Sequence, residues 1–87
     1  MRRTDFGPKR RAWEVDGADR AYSIEVSTKG VSFGESGPPP TYGSGGGCSL
    51  RRLLGGEQHE WIARHFGPDV LEETLSFARD LLEKKKP

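Results

Sequence analysis

The run Tyr22-Ser23-Ile24-Glu25-Val26-Ser27 alternates apolar and polar side chains without a break, and it constrains the fold more than any other feature of the chain. A period of two puts Tyr22, Ile24 and Val26 on one face of a strand and Ser23, Glu25 and Ser27 on the other. Such a strand needs paired neighbours and a cover for its apolar face. Trp13 and Val15 flank Glu14 in the segment before it, and Asp16-Gly17-Ala18-Asp19 supplies turn chemistry between the two. Thr28-Lys29-Gly30 turns the chain again, and Val31 and Phe33 then continue the apolar face. Strands this short and this close in sequence predict an antiparallel meander of three.

The cover comes from the second half. Ser49 is suited to cap Leu50, Arg51, Arg52, Leu53 and Leu54, which Gly55-Gly56 ends. From Glu57 to Phe66, His59, Ile62, Ala63 and Phe66 lie along one side, and Gly67-Pro68 stops the segment. Pro68 and Asp69 open a longer helix in which Val70, Leu71, Thr74, Leu75, Ala78, Leu81 and Leu82 make a broad apolar stripe. The expected class is α+β: a three-stranded antiparallel meander followed by two short helices and a longer C-terminal helix packed on one sheet face.

Between the halves, residues 34–48 (GESGPPPTYGSGGGC) break every pattern. Three consecutive prolines exclude helix and central strand, and Gly45-Gly46-Gly47 is entropically costly to order. This stretch is expected to be a Pro/Gly-rich loop within a single domain spanning 10–84. Residues 1–9 contain Gly7-Pro8 and no periodicity, so they read as a flexible basic arm, and 85–87 as a basic tail. Eighty-seven residues leave room for one domain. The single Cys48 excludes an internal disulfide, and no apolar run is long enough for a membrane span or a signal-peptide core. The expected setting is the cytoplasm.

A net charge of +1 conceals segregation. Residues 1–11 hold Arg2, Arg3, Lys9, Arg10 and Arg11 against Asp5 alone, and the tail adds Lys84, Lys85 and Lys86. The body between them, residues 12–83, carries six basic and twelve acidic side chains. Basic ends and an acidic body constrain partners more than the near-neutral total does.

The candidate chemistry is sparse. His59-Glu60 and His65 invite a zinc reading, but histidines six apart lie about 240° apart around a helix and cannot chelate together from it. Cys48 stands at a helix start with Arg51 and Arg52 a turn away, a setting that lowers a thiol pKa and suits a nucleophile or redox-sensitive thiol. The arginine that a phosphatase loop needs six positions on is absent, since Leu54 is there. Gly43-Ser44-Gly45-Gly46-Gly47 has the composition of a phosphate loop without its Gly-Lys-Ser/Thr ending. No cofactor and no metal are expected.

Pro39-Pro40-Thr41-Tyr42 resembles the Pro-Pro-x-Tyr ligand of WW domains, which implies a preformed polyproline segment with the Tyr42 ring in a second slot. The pair YSIEVSTKGVSFGE, residues 22–35, followed later by a helix, is similar to the sheet of the purine-rich-element (PUR) single-strand binders. That resemblance implies a curved sheet backed by a helix, with aromatics and cations on the open face for bases and phosphates. Here the face opposite the core offers Glu14, Ser23, Glu25, Ser27 and Ser32, whose two carboxylates repel phosphate.

The reading is a small non-enzymatic protein-binding module, an adaptor, regulator or inhibitor that can form a homodimer through a sheet edge. Pro39, Pro40, Tyr42 and Trp61 are its candidate contacts. One alternative is a weak single-stranded nucleic-acid binder using Arg2, Arg3, Lys9, Arg10 and Arg11. A second is a redox-sensitive or catalytic thiol protein acting through Cys48.

Overall fold

The computed structural model describes residues 2–18, 20–36 and 44–85. In chain order these form β1 (Arg2–Asp5), β2 (Arg10–Asp16), β3 (Ala21–Ser27), β4 (Gly30–Ser36), β5 (Ser44–Cys48), α1 (Leu50–Leu54), α2 (His59–Phe66) and α3 (Pro68–Lys85). The class is α+β. The sheet is antiparallel in the order β1-β2-β3-β4-β5, so it has five strands rather than three. The expected meander is its centre, and both additions are edges.

Each added strand forms for a reason that hydrophobic patterning cannot register. The β1 strand buries no side chain; it is registered on β2 with opposite charges facing each other, Arg2 against Glu14 and Asp5 against Arg11. Both pairs are ion-paired, the first at 2.9 Å. Gly7, at φ 117°, turns the hairpin, and Phe6 N–H donates to the Arg10 carbonyl at 3.0 Å. In β5 the glycines are what permits pairing: a Cβ on Gly47 would stand 2.7 Å from the Val31 carbonyl oxygen. The entropy lost in ordering them is offset by the ladder hydrogen bonds to β4.

Register sorts the two faces. The row Arg3–Trp13–Ile24–Phe33–Gly46 crosses all five strands on the inner face, beside Asp5–Arg11–Val26–Val31–Cys48. The outer face carries Arg2–Glu14–Ser23–Gly34–Gly45 and Thr4–Ala12–Glu25–Ser32–Gly47. Trp13, Ile24, Val26 and Val31 are buried against Leu50, Leu53, Ile62, Val70, Phe77, Ala78 and Leu81 from the three helices. Phe77 is absent from the stripe expected for α3, yet it meets Trp13 edge-on, with ring centroids 6.4 Å apart. Thr74 is fully buried and donates its hydroxyl to the Leu71 carbonyl at 2.7 Å. No helix is long and apolar enough to cross a membrane among the described residues.

Trp13 is fully buried, and its Nε1 has no hydrogen-bond partner among the described residues. Packing therefore carries its contribution. Trp13→Ala is expected to cost about 3–5 kcal/mol in urea unfolding. Phe6→Ala, at the exposed hairpin tip, is expected to cost less than about 1 kcal/mol.

Candidate binding surface

The helices cover the inner face unevenly. Over β1 and β2, α3 is held by Arg3–Glu73 at 2.8 Å and by the Arg11 guanidinium 4.6 Å above the Phe77 ring. Farther across the sheet, α3 also packs on β3 and α1 on β4, while Tyr22 and Phe33 are covered by side chains of α2, which ends at Gly67 (φ 94°) just before Pro68 begins α3. Trp61 sits edge-on to Phe33 at 5.3 Å and to Tyr22 at 6.1 Å. His65 stacks on Tyr22 at 3.9 Å, and Phe66 lies 5.8 Å from Trp61. These contacts fix the Trp61 ring while leaving it partly exposed.

Beyond Phe33 the cover runs out. A cavity of about 180 Å³, open to solvent, lies between α2 and β5; Phe33 and Trp61 wall it, Gly45 and Gly46 border it, and Glu35 and Gln58 supply its polar groups. The space exists because Gly46, the cross-strand partner of Phe33, has nothing within 4 Å of where a Cβ would stand. Glu35 pairs with Arg20 at 3.1 Å. Gln58 precedes α2 in the left-handed region at φ 65°, a conformation that costs a non-glycine residue about 1–2 kcal/mol. Its amide makes no hydrogen bond among the described residues.

Of the sequence-derived contacts, Trp61 lies in this surface, while Pro39, Pro40 and Tyr42 fall outside the described residues. Phe33 reads in sequence as part of the apolar sheet face, and nothing in sequence marks Gln58, whose placement follows from a backbone angle. Glycine at position 46 is a signal only once β5 is known to be a strand.

The basic candidates lie elsewhere, and the four arginines among them are ion-paired. Arg2 bonds Glu14, and Arg10 bonds Glu25 at 2.8 Å, both on the outer sheet face. Arg3 reaches Glu73 and Arg11 reaches Asp5. Lys9 makes no ion pair among the described residues. The outer face holds Glu14, Ser23, Glu25, Ser27 and Ser32, and no described strand residue on it is aromatic; at its rim the exposed Phe6 ring lies 4.4 Å from the Arg10 guanidinium.

Cys48 reverses the expectation from its neighbours. Burial first, then its hydrogen bond to Glu57 and the charge of that carboxylate, push the thiol up from 9.0 to about 11, against a smaller lowering by Arg52. Beside a carboxylate the thiol stays protonated and is a poor nucleophile at neutral pH. The ring of His59 bonds the Leu53 carbonyl, joining the end of α1 to α2, and no group of three metal-ligating side chains occurs among the described residues. No protein-family model matches the chain, and no curated protein or solved structure is significantly similar to it.

Two outcomes follow from this geometry. Because the folded thiol binds its proton more tightly than the unfolded one, its contribution to stability is complete below pH 9 and is lost as pH rises toward about 11. Unfolding curves of the wild type and Cys48→Ala should diverge across that window, and the native thiol should react slowly with iodoacetamide at pH 8. Gln58→Gly should relieve the left-handed strain and raise stability by up to about 1 kcal/mol. A loss in urea unfolding would instead mean that the glutamine side chain itself supports the groove.

Proposed function

We propose that this chain is a non-enzymatic protein-binding module, an adaptor, regulator or inhibitor, that engages its partner along β5 and the adjoining groove. The observation that carries this reading is the contrast between the two sheet edges. Every side chain of β1 is polar and three are charged, the usual protection of an edge strand. Strand β5 reads Ser-Gly-Gly-Gly-Cys, its glycines are exposed, and among the described residues nothing pairs with its outer side. Beside that bare edge stands Trp61, an aromatic anchor already fixed by its neighbours.

The nucleic-acid reading has less support. A base-stacking surface needs aromatics on the open face, and the cations available there are bonded to the protein's own carboxylates. The thiol reading is opposed by the raised pKa of Cys48. A single free thiol fits a reducing, cytoplasmic setting.

Affinity capture from lysate should return a stoichiometric partner with the wild-type chain. Trp61→Ala should lose that partner while retaining the far-ultraviolet spectrum of the fold. Gly46→Val, which projects a side chain into open space in the groove, should lose it too. Retention by both variants would overturn the assignment of this surface.

A further inference from the structure

The β5 edge and the cavity beside it ask for two things at once. In an edge strand, alternate residues direct their N–H and C=O groups away from the sheet, and those groups are satisfied by another extended backbone. The cavity asks for a side chain. A residue placed opposite Gly46 on an added strand points to the inner face, as Gly46 and Phe33 do, and so toward the space between Phe33 and Trp61. About 180 Å³ is enough for one ring or one branched aliphatic side chain.

The protein's own edge strands cannot meet that demand. A second copy pairing β5 with β5 would offer Gly46 and Cys48 on the inner face, and one pairing β1 with β5 would offer Arg3 and Asp5. None of these supplies a large apolar group. Neither described edge strand of a second copy fills the cavity, which favours a strand from a different protein as the occupant.

Every pairing in the sheet is antiparallel, and an added strand continues that sense; charge sets its second specificity residue. Glu35 lines the cavity and is the cross-strand partner of Ser44, two residues from Gly46 along β5. On an antiparallel added strand, the residue two positions after the apolar one lies opposite Ser44, on the side of the Glu35 carboxylate. A Lys or Arg there complements that carboxylate and replaces Arg20, whose side chain is 49% exposed. The unbonded Gln58 amide borders the same cavity and can bond the incoming backbone.

We propose, resting on the protein-binding reading above, that the partner contributes an extended segment that pairs antiparallel with β5 as a sixth strand. It inserts one large apolar side chain between Phe33 and Trp61 and presents Lys or Arg two residues later to Glu35. The test is a display library of short random linear peptides panned on the full chain, followed by affinities for the best synthetic binder. Binders should share an apolar residue followed by any residue and then Lys or Arg. Gly46→Val should weaken the best one at least about tenfold, and N-methylation of an inward-bonding amide should do the same. Glu35→Gln should remove the preference for the cation and leave the apolar preference intact. Hydrogen exchange at Gly45–Gly47 should slow on binding.

Binders without a fixed apolar position, or affinities indifferent to N-methylation, would overturn the proposal. So would a dimer whose β5 amides are protected without peptide, since the edge would then hold a second copy. A captured partner that needs Trp61 while the library yields no competitor would remove strand addition and leave the protein-binding reading standing. Absence of both partner and peptide binders would remove both.

Discussion

The edge-to-face contact of Trp13 with Phe77 joins the two halves of the molecule, and the arrangement of the other elements follows from it. Trp13 lies in the row that crosses all five strands, so seating it under α3 fixes where the long helix crosses the sheet. Because α3 spans β1 to β3 and α1 approaches β4, only the part of the inner face around Tyr22 and Phe33 is left to the eight-residue α2. Trp61 and His65 extend the reach of α2 over Tyr22 and Phe33, but little of it remains for β5. The groove is thus a consequence of how much apolar surface the sheet presents and how much helix the chain has to cover it.

What sequence could show depended on whether burial leaves a periodic trace. The centre of the sheet was legible because Trp13, Tyr22, Ile24, Val26, Val31 and Phe33 each alternate with polar residues. All three helices were legible from their stops at Gly55-Gly56 and Gly67-Pro68. Strand β1 left no such trace because it buries nothing. Its signature is a complementarity of charge at equal distances from the Gly7-Pro8 turn, Arg2 with Glu14 and Asp5 with Arg11. Strand β5 is hidden because glycines read in sequence as a cost in entropy, whereas close approach to the β4 carbonyls favours glycine at positions 45 and 47. The state of the Cys48 thiol is illegible in sequence for a related reason: Arg51 and Arg52 are neighbours in sequence, while Glu57 becomes a neighbour only on folding.

The segregation of charge along the chain acquires a meaning in three dimensions. Basic side chains from the first eleven residues meet carboxylates of the body, Arg2 with Glu14, Arg3 with Glu73 and Arg10 with Glu25. Each exposed pair contributes only about 0–1 kcal/mol, so these contacts add little to stability. Their larger effect is on specificity, since they fix the register of β1 and leave a strand whose outward groups are flanked by charge.

That one-sided protection gives the sheet the valence of a monofunctional monomer. A unit with two open edges adds to itself at both ends and polymerises, as strand edges do in fibres. A unit with one closed edge cannot propagate: once β5 is joined, the face left at the far side is β1, with Arg2, Arg3 and Asp5 along it. In polymer terms, the strand addition proposed above would make the protein a chain stopper: joined at β5, it would end the shared sheet at β1.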